Sequence, residues 1–187
     1  MKLLIGISGK AGSGKDTAAC YFVNNHGFLQ YAIAGPLKRA LEVLGIHEPR
    51  DRNLKEALIP GRAYSYRRAA QKLGTEWARE LDINFWLNLA KDYYESAAWS
   101  VVISDVRFEN EAAFVRERGG LVIHLHGRSA NVDNADHPSE QGLEVHESDC
   151  VISNTGSLER LYEDLENAYG RLVESKVRTT PVRGCEK

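Results

Sequence analysis

The sequence predicts an α/β protein, a three-layer α/β/α arrangement around a parallel sheet of about five strands. Three observations predict it. Short apolar runs of strand character alternate along the chain with helical segments. The run Ser100-Val-Val-Ile-Ser104 is continuously apolar, as strands buried on both faces of a parallel sheet are. Between the first apolar run and the first helix lies S-G-K-A-G-S-G-K-D-T, residues 8–17, a glycine-rich turn of the kind that opens a strand–loop–helix unit.

The elements follow in order. Residues 2–8 form the first strand, and Thr17–Val23 the core of the first helix. Gly27 breaks the pattern, and Phe28 to Ala34 reads as a second strand. Pro36 opens a helix with Leu37, Leu41 and Leu44 on one face, closed by Gly45. His47 to Tyr66 is polar and broken by Pro49 and Pro60-Gly61, hence a loop or short mobile helix. Arg67–Glu80 and Phe85–Ala97 are helical. The strand at 100–104 leads to a helix over 109–118 ended by Gly119-Gly120, then to a strand at 121–126. Residues 127–148 are polar without apolar period; Cys150–Ser153 is a short last strand, and Ser157 caps a final helix with Leu158, Leu161, Tyr162, Leu165, Tyr169 and Leu172 on one side. One domain over 1–175 with a frayed basic tail at 176–187 is expected.

Composition narrows the functional classes. The 24 basic and 26 acidic residues leave a net charge of −2, so no global field draws the chain to a nucleic-acid polymer or an anionic membrane. No apolar run approaches the ~20 residues that span a bilayer, and the N-terminus runs straight into the first strand, leaving no room for a signal peptide. Cys20, Cys150 and Cys185 are odd in number and widely separated, which fits neither a disulfide framework nor a zinc cluster and suits a cytoplasmic location.

The turn at 8–17 carries the P-loop spacing: Gly9, four residues, then Gly14-Lys15. Glycines let successive backbone N–H groups wrap a phosphate, the helix N-terminus adds positive potential, and a lysine reaches the outer phosphates. A nucleoside triphosphate is therefore the expected ligand, held by Gly9, Ala11, Gly12, Ser13, Gly14, Lys15, Asp16 and Thr17. Asp16 stands where Ser or Thr usually ligates Mg²⁺. It is either a metal-proximal carboxylate or a first-turn acid that favours the helix dipole. Thr17 is no simple substitute, because one residue turns a side chain by about 100° on a helix.

Asp105 and Arg107 follow a buried strand directly, at the sheet edge where ligands of such folds bind. Asp105 there can hold a metal-bound water, accept a proton or cap the next helix; Arg107 suits a phosphorylated substrate. Arg67, Arg68, Arg79 and Arg128 add to the arginine set, with Arg128 opening a polar loop of the kind that serves as a lid. His137-Pro-Ser-Glu140 in that loop lacks the nucleophile elbow of a hydrolase, and lid or nucleobase contact is the better reading. No ligand spacing supports zinc at His124, His126, His137 and His146. Gln71 and Thr75 lie one helical turn apart and can share a base edge; Trp77 and Trp86 either line a base pocket or pack as core.

Five blocks occur together in this order: GKAGSGKDT at 9–17, Gly35-Pro-Leu-Lys38, Gln71-Lys-Leu-Gly-Thr-Glu76, Ser104-Asp-Val-Arg-Phe-Glu-Asn-Glu111 and His137-Pro-Ser-Glu140. The series resembles the deoxynucleoside monophosphate kinases of tailed bacteriophages and their prophage relatives, over most of the chain. The resemblance implies the nucleoside monophosphate kinase fold, a P-loop core with a mobile acceptor-binding region at about 36–98 and a lid-like loop at about 127–148. It implies transfer of the ATP γ-phosphoryl group to a deoxynucleoside 5′-monophosphate, with Mg²⁺. Lys15, Asp105, Arg107 and Arg128 would be catalytic, and Lys38, Arg68, Gln71, Thr75, Trp77, Arg79, Trp86 and Glu140 would serve the acceptor. Asp16 and Asp105 would lie nearest the metal. Asp16 fits the family pattern, whereas Gly35 departs from the acidic residue expected before Pro36-Leu37. A homodimer is compatible with all of this. Kinases of other small phosphorylated metabolites, phosphomevalonate or dephospho-coenzyme A, and an ATP-binding switch without a small acceptor remain as alternatives.

Overall fold

The computed structural model describes residues 1–127 and 143–179, and among these it has five strands and seven α-helices. The order is β1 (Leu4–Ser8), α1 (Lys15–His26), β2 (Leu29–Tyr31), α2 (Ala34–Val43), a 3₁₀ turn (Arg52–Lys55), α3 (Tyr66–Gln71), a π-helical stretch (Lys72–Trp77), α4 (Ala78–Leu81) and α5 (Phe85–Ser96). After these come β3 (Val101–Val106), α6 (Glu109–Glu117), β4 (Leu121–Gly127), β5 (Cys150–Asn154) and α7 (Leu158–Thr179). The chain divides into two compact units, one of Met1–Gln30 with Ala98–Lys187 and one of Tyr31–Ala97.

The sheet order is β2-β3-β1-β4-β5, and β1 runs parallel to both β3 and β4, as β4 does to β5. Leu29 N–H donates to the Ser100 carbonyl at 2.8 Å where β2 joins β3. This is the parallel α/β sheet that the alternating pattern predicts. Ile5, Ile7, Val102, Ile123, Leu125 and Ile152 point to one face and share a core with Ala18, Ala19 and Phe22 of α1 and Leu161, Leu165 and Leu172 of α7. Full burial of a side chain such as Phe22 contributes roughly 2–3 kcal/mol. Gly6 alternates to the other face, where a Cβ would stand 3.0 Å from Val106 and from Val115 of α6. Helices therefore cover both faces of the first unit's sheet.

One irregularity bears on the site. Gly6 pairs with Ile103 but Ser8 pairs with Val106, so β3 spends one more residue than β1 over the same rise. Ser104 and Asp105 together oppose Ile7. Such bulges break the strict alternation of faces near strand ends.

Several boundaries differ from the sequence reading for local reasons. β2 stops at Tyr31 because α2 starts at Ala34, which leaves Pro36 inside the first turn, where its missing N–H costs nothing. Gly45, at φ 74°, closes α2 with its N–H on the Glu42 carbonyl and the Ile46 N–H on that of Leu41. α7 continues to Thr179, beyond the expected start of the tail at Lys176, and the Lys176 ammonium donates to the Arg118 carbonyl at 2.7 Å.

In the second unit, Arg67–Glu80 is helical as expected, but its middle is π-helical. Gly74 explains this. Its carbonyl accepts the Trp86 indole N–H at 2.7 Å, and a Cβ on it would stand 2.8 Å from Leu37 Cδ2. The widened turn of the π stretch frees a carbonyl for the indole and brings backbone close to α2.

Candidate functional site

β1 delivers the chain to Gly9, and the loop turns through Gly9, Gly12 and Gly14 at φ 153°, 80° and 98°. Side-chained residues reach such angles only at a cost. Space excludes them as well: a Cβ on Gly9 would lie 2.5 Å from the Leu125 carbonyl oxygen, and one on Gly14 2.4 Å from Asn154 Nδ2. Ser13 N–H closes a tight turn on the Lys10 carbonyl at 3.1 Å. Gly14 caps α1 without a side-chain hydrogen bond, so the first-turn amides face a site rather than a capping group.

Lys15 Nζ donates to the Gly9 carbonyl at 2.7 Å and to the Lys10 carbonyl at 2.9 Å, which places the ammonium across the mouth of the loop. Ser13 is buried, and its hydroxyl has no hydrogen-bond partner among the described residues. An orphaned polar atom within a loop of left-handed glycines is what a phosphate cradle presents before it is filled. Ala11 and Lys15 are half-buried, while Gly12, Asp16 and Thr17 are exposed.

β3 and β1 are neighbours, with Ser8 opposite Val106, so Asp105 stands beside the strand that feeds the loop. It is half-buried, and Arg107 is exposed. The turn after β3 is held by Glu111, which is 2% exposed. One of its oxygens, Oε2, accepts the Arg107 N–H at 2.8 Å and the Phe108 N–H at 3.2 Å. Glu111 sits in the third position of α6 and reaches back over the helix start, as a capping-box acid does. A buried carboxylate is costly unless charge-assisted hydrogen bonds hold it, and these two do.

A second polar group lies on the α6 face of the sheet. Asp149, whose side chain is fully buried, takes Arg116 Nε and Nη2, His124 Nε2 at 2.8 Å and the His146 N–H at 3.0 Å. Burial alone would raise the Asp149 pKa; the hydrogen bonds from Arg116, His146 and His124 outweigh it and hold the carboxyl at about 2. Arg116 also reaches Glu109 at 2.5 Å and the Glu144 carbonyl at 3.4 Å, which ties the chain re-entering at 143–149 to α6. His124 and His146 are thus held by carboxylates, and no set of three metal-binding side chains occurs among the described residues.

The expected acceptor residues in the second unit have varied surroundings. Lys38 lies 3.0 Å from Glu48 Oε2, and Lys55 pairs with the other oxygen. Burial pushes the Glu48 carboxyl up, but the two lysines outweigh it and hold it below its usual range. Arg68 is exposed in the first turn of α3, whose N-cap Ser65 accepts the Arg68 N–H at 3.2 Å. Gln71 and Thr75 are half-buried, at the end of α3 and inside the π stretch. Trp77 is 51% exposed and meets Phe85 edge-on. Arg79 Nη1 donates to the Ile83 carbonyl at 3.2 Å. Trp86 is buried, and its indole N–H donates to the Gly74 carbonyl. Arg128, His137 and Glu140 lie outside the described residues.

The sequence reading named neither Asn154 nor the Arg116–Asp149 pair. Asn154 ends β5 and donates from Nδ2 to the Ser13 carbonyl at 2.9 Å. No local signal foretells a contact between residues 141 positions apart. Glu111 was legible as an acid three residues after Phe108, ahead of an apolar run.

Comparison with known proteins gives one consistent result. A family profile described as deoxynucleotide monophosphate kinase matches residues 3–58 and 50–165. A protein of Acanthamoeba polyphaga mimivirus, provisionally named a deoxynucleotide monophosphate kinase, is 32% identical over 182 residues, 87% of this chain and 94% of its own length. The deoxynucleotide monophosphate kinase of Enterobacteria phage T4 is 27% identical, over 89% of this chain and 98% of its own. That of Escherichia phage RB69 is 38% identical over 55% of this chain and 44% of its own.

Proposed function

The chain belongs to the deoxynucleotide monophosphate kinase family, and from that premise we propose that the loop at 9–17 and the β3–α6 turn are where the γ-phosphoryl group of ATP passes to a deoxynucleoside 5′-monophosphate. The chain is an ATP-dependent kinase, and its products are a deoxynucleoside diphosphate and ADP. The observation that carries the site assignment is Lys15 held across the glycine loop by the Gly9 and Lys10 carbonyls. An ammonium in that place needs only to exchange carbonyl oxygens for phosphate oxygens.

The chemistry follows from charge. The transferring group spreads negative charge over its equatorial oxygens, so catalysis is positioning and electrostatics rather than covalent work. Lys15 carries the outer phosphates, and the amides of the loop carry the inner ones. The acceptor phosphate is already an anion, so no strong base is required. Arg107, on the turn fixed by Glu111, orients the acceptor, and Asp105 beside it limits how the acceptor sits. Arg128 is assigned to the transferring group and Glu140 to the acceptor on the family resemblance. Lys38, Arg68, Gln71, Thr75, Trp77 and Arg79 are assigned to the acceptor, with Trp86 as the packing support behind them.

Hard oxygen donors at Asp16 and Asp105 suit Mg²⁺, which binds through one or two carboxylates plus phosphates and water. When bound, the ion would neutralise phosphate charge. The same reading includes a cytoplasmic enzyme whose partner is a small nucleotide rather than a nucleic-acid polymer or a membrane. The net charge of −2 supports it. Among the described residues no helix is long and apolar enough to cross a membrane.

Coupled ADP release with dAMP, dGMP, dCMP and dTMP, each against its ribose form, tests the reading. Acceptor-dependent ADP release with at least one deoxynucleotide is expected. Release driven instead by dephospho-coenzyme A or phosphomevalonate, or independent of every acceptor, overturns it.

A further inference from the structure

We infer that Asn154 is a positioning residue of the phosphate cradle, whose side-chain amide sets the orientation of the Ser13–Gly14 peptide. The inference rests on the reading of the loop as the site of the ATP phosphates. Asn154 Nδ2 donates to the Ser13 carbonyl at 2.9 Å. A trans peptide carries its C=O and N–H on opposite sides. A carbonyl drawn toward Asn154 therefore turns the Gly14 N–H away from it. The helix ladder begins with Ala18 N–H on the Gly14 carbonyl, so the Gly14 amide precedes it, where helix N-termini receive anions.

The loop has little else to fix this peptide. Gly14 forms one side of this peptide at φ 98°, and a glycine there permits the plane to flip. The Ser13 hydroxyl has no partner among the described residues. A flip would present a carbonyl oxygen where a phosphate needs a donor, and the Asn154 amide opposes it.

Asn154 is itself held. It pairs with Gly127 across β4 and β5. A Cβ on Gly127 would lie 2.4 Å from the Asn154 carbonyl oxygen, and one on Gly14 2.4 Å from Nδ2. Glycine at both contact points admits the asparagine, and it stands clamped between the end of β4 and the loop. The role requires a donor on a fixed short stem, which is what the last residue of an anchored strand supplies.

The test uses the full chain and two variants. N154A removes the side chain; N154D keeps its shape but carries no donor while ionised. Calorimetric titration with ATP and with inorganic tripolyphosphate separates phosphate binding from base binding. Wild type is expected to bind both. N154A should weaken both by a common factor of about five to ten, and N154D by about tenfold or more, since its carboxylate also repels the Ser13 carbonyl. As pH falls from about 7.5 through about 4, N154D should recover tripolyphosphate affinity relative to wild type, because a protonated carboxyl donates again. A merely structural asparagine would lower the melting temperature without that recovery, and N154D carries the test if N154A fails to fold. Unchanged tripolyphosphate affinity in N154D, or a loss seen with ATP but not tripolyphosphate, overturns the inference. Wild type that binds neither ligand overturns instead the reading of the loop on which it rests.

Discussion

Arg116 grips Asp149 through two donors, Nε to Oδ1 at 2.9 Å and Nη2 to Oδ2 at 2.8 Å, and neither carboxylate oxygen is left to water. The pair joins α6 to the stretch just before β5. Its ionisation is consequently part of the fold's stability.

Asp149 titrates at about 2 in the folded chain, against about 4 when unfolded. A lowered folded value means stability that is complete above about pH 4 and lost as pH falls through about 2. Its size is about 1–2 kcal/mol after allowance for solvent screening. Asp149→Asn cannot ionise, so its acid-unfolding curve should be flatter between about pH 4 and 2 than that of wild type. Curves of equal slope would show that the pair does not govern acid stability.

Lys15→Ala should reduce turnover by about 10²–10³-fold or more, since a preorganised charge on the transferring group is lost. Its two hydrogen bonds to Gly9 and Lys10 are local, so the fold should lose only about 1 kcal/mol. Coupled ADP release and thermal unfolding together check this. A variant that keeps near-normal turnover would remove the loop from the chemistry.

Glu111→Ala should do two things at once. It leaves the Arg107 and Phe108 amides without their acceptor, a cost of about 1–2 kcal/mol, and it loosens the turn that carries Arg107. The KM for the deoxynucleotide should rise more than that for ATP. Glu111→Gln retains a carbonyl oxygen that can accept both amides, so it should rescue most of the acceptor KM. Equal effects on both substrates would assign Glu111 to stability alone.

Trp86→Phe keeps most of the ring but removes the indole N–H, which leaves the buried Gly74 carbonyl without its partner at a cost of about 1–2 kcal/mol. The π stretch should relax with it. Hydrogen exchange at residues 72–77 is the direct measurement: faster exchange there, with β1 and β4 unchanged, is the expected pattern.

The loop and the sheet were legible because their signals are local. Strand, spacing, lysine and helix all lie within residues 2–23, and the apolar run at 100–104 reports burial on both faces. β3 was read two residues short because Asp105 looks like the end of a strand, whereas the bulge lets the strand carry it and run to Val106. The π stretch was unreadable, since ordinary helix formers surround Gly74 and its cause, the Trp86 indole, is 12 residues away. Asn154 and the Arg116–Asp149–His124 group arise only when sheet order brings β4, β5 and α6 together; their partners are 25 to 141 residues apart. The Lys38–Glu48 pair was not legible because Glu48 lies beyond the end of the helix that carries Lys38, in a stretch without periodicity.

The surplus residue in β3 has a consequence for which charge the sheet can carry. In a ladder without it, the place opposite Ile7 belongs to the oily side, in line with Val102 and the core of α1 and α7. Buried Ser104 shares that place with Asp105, and the carboxylate stays only half-buried. Deleting Ser104 would move Asp105 into that place, on the side of the α1 and α7 core, and the deeper burial of its carboxylate would cost several kcal/mol. Ser104→Ala, which keeps the count, should unfold only slightly earlier than wild type, while the deletion should melt far below both. Strand length, as much as residue type, is thus a determinant of whether this edge can hold an acid at all.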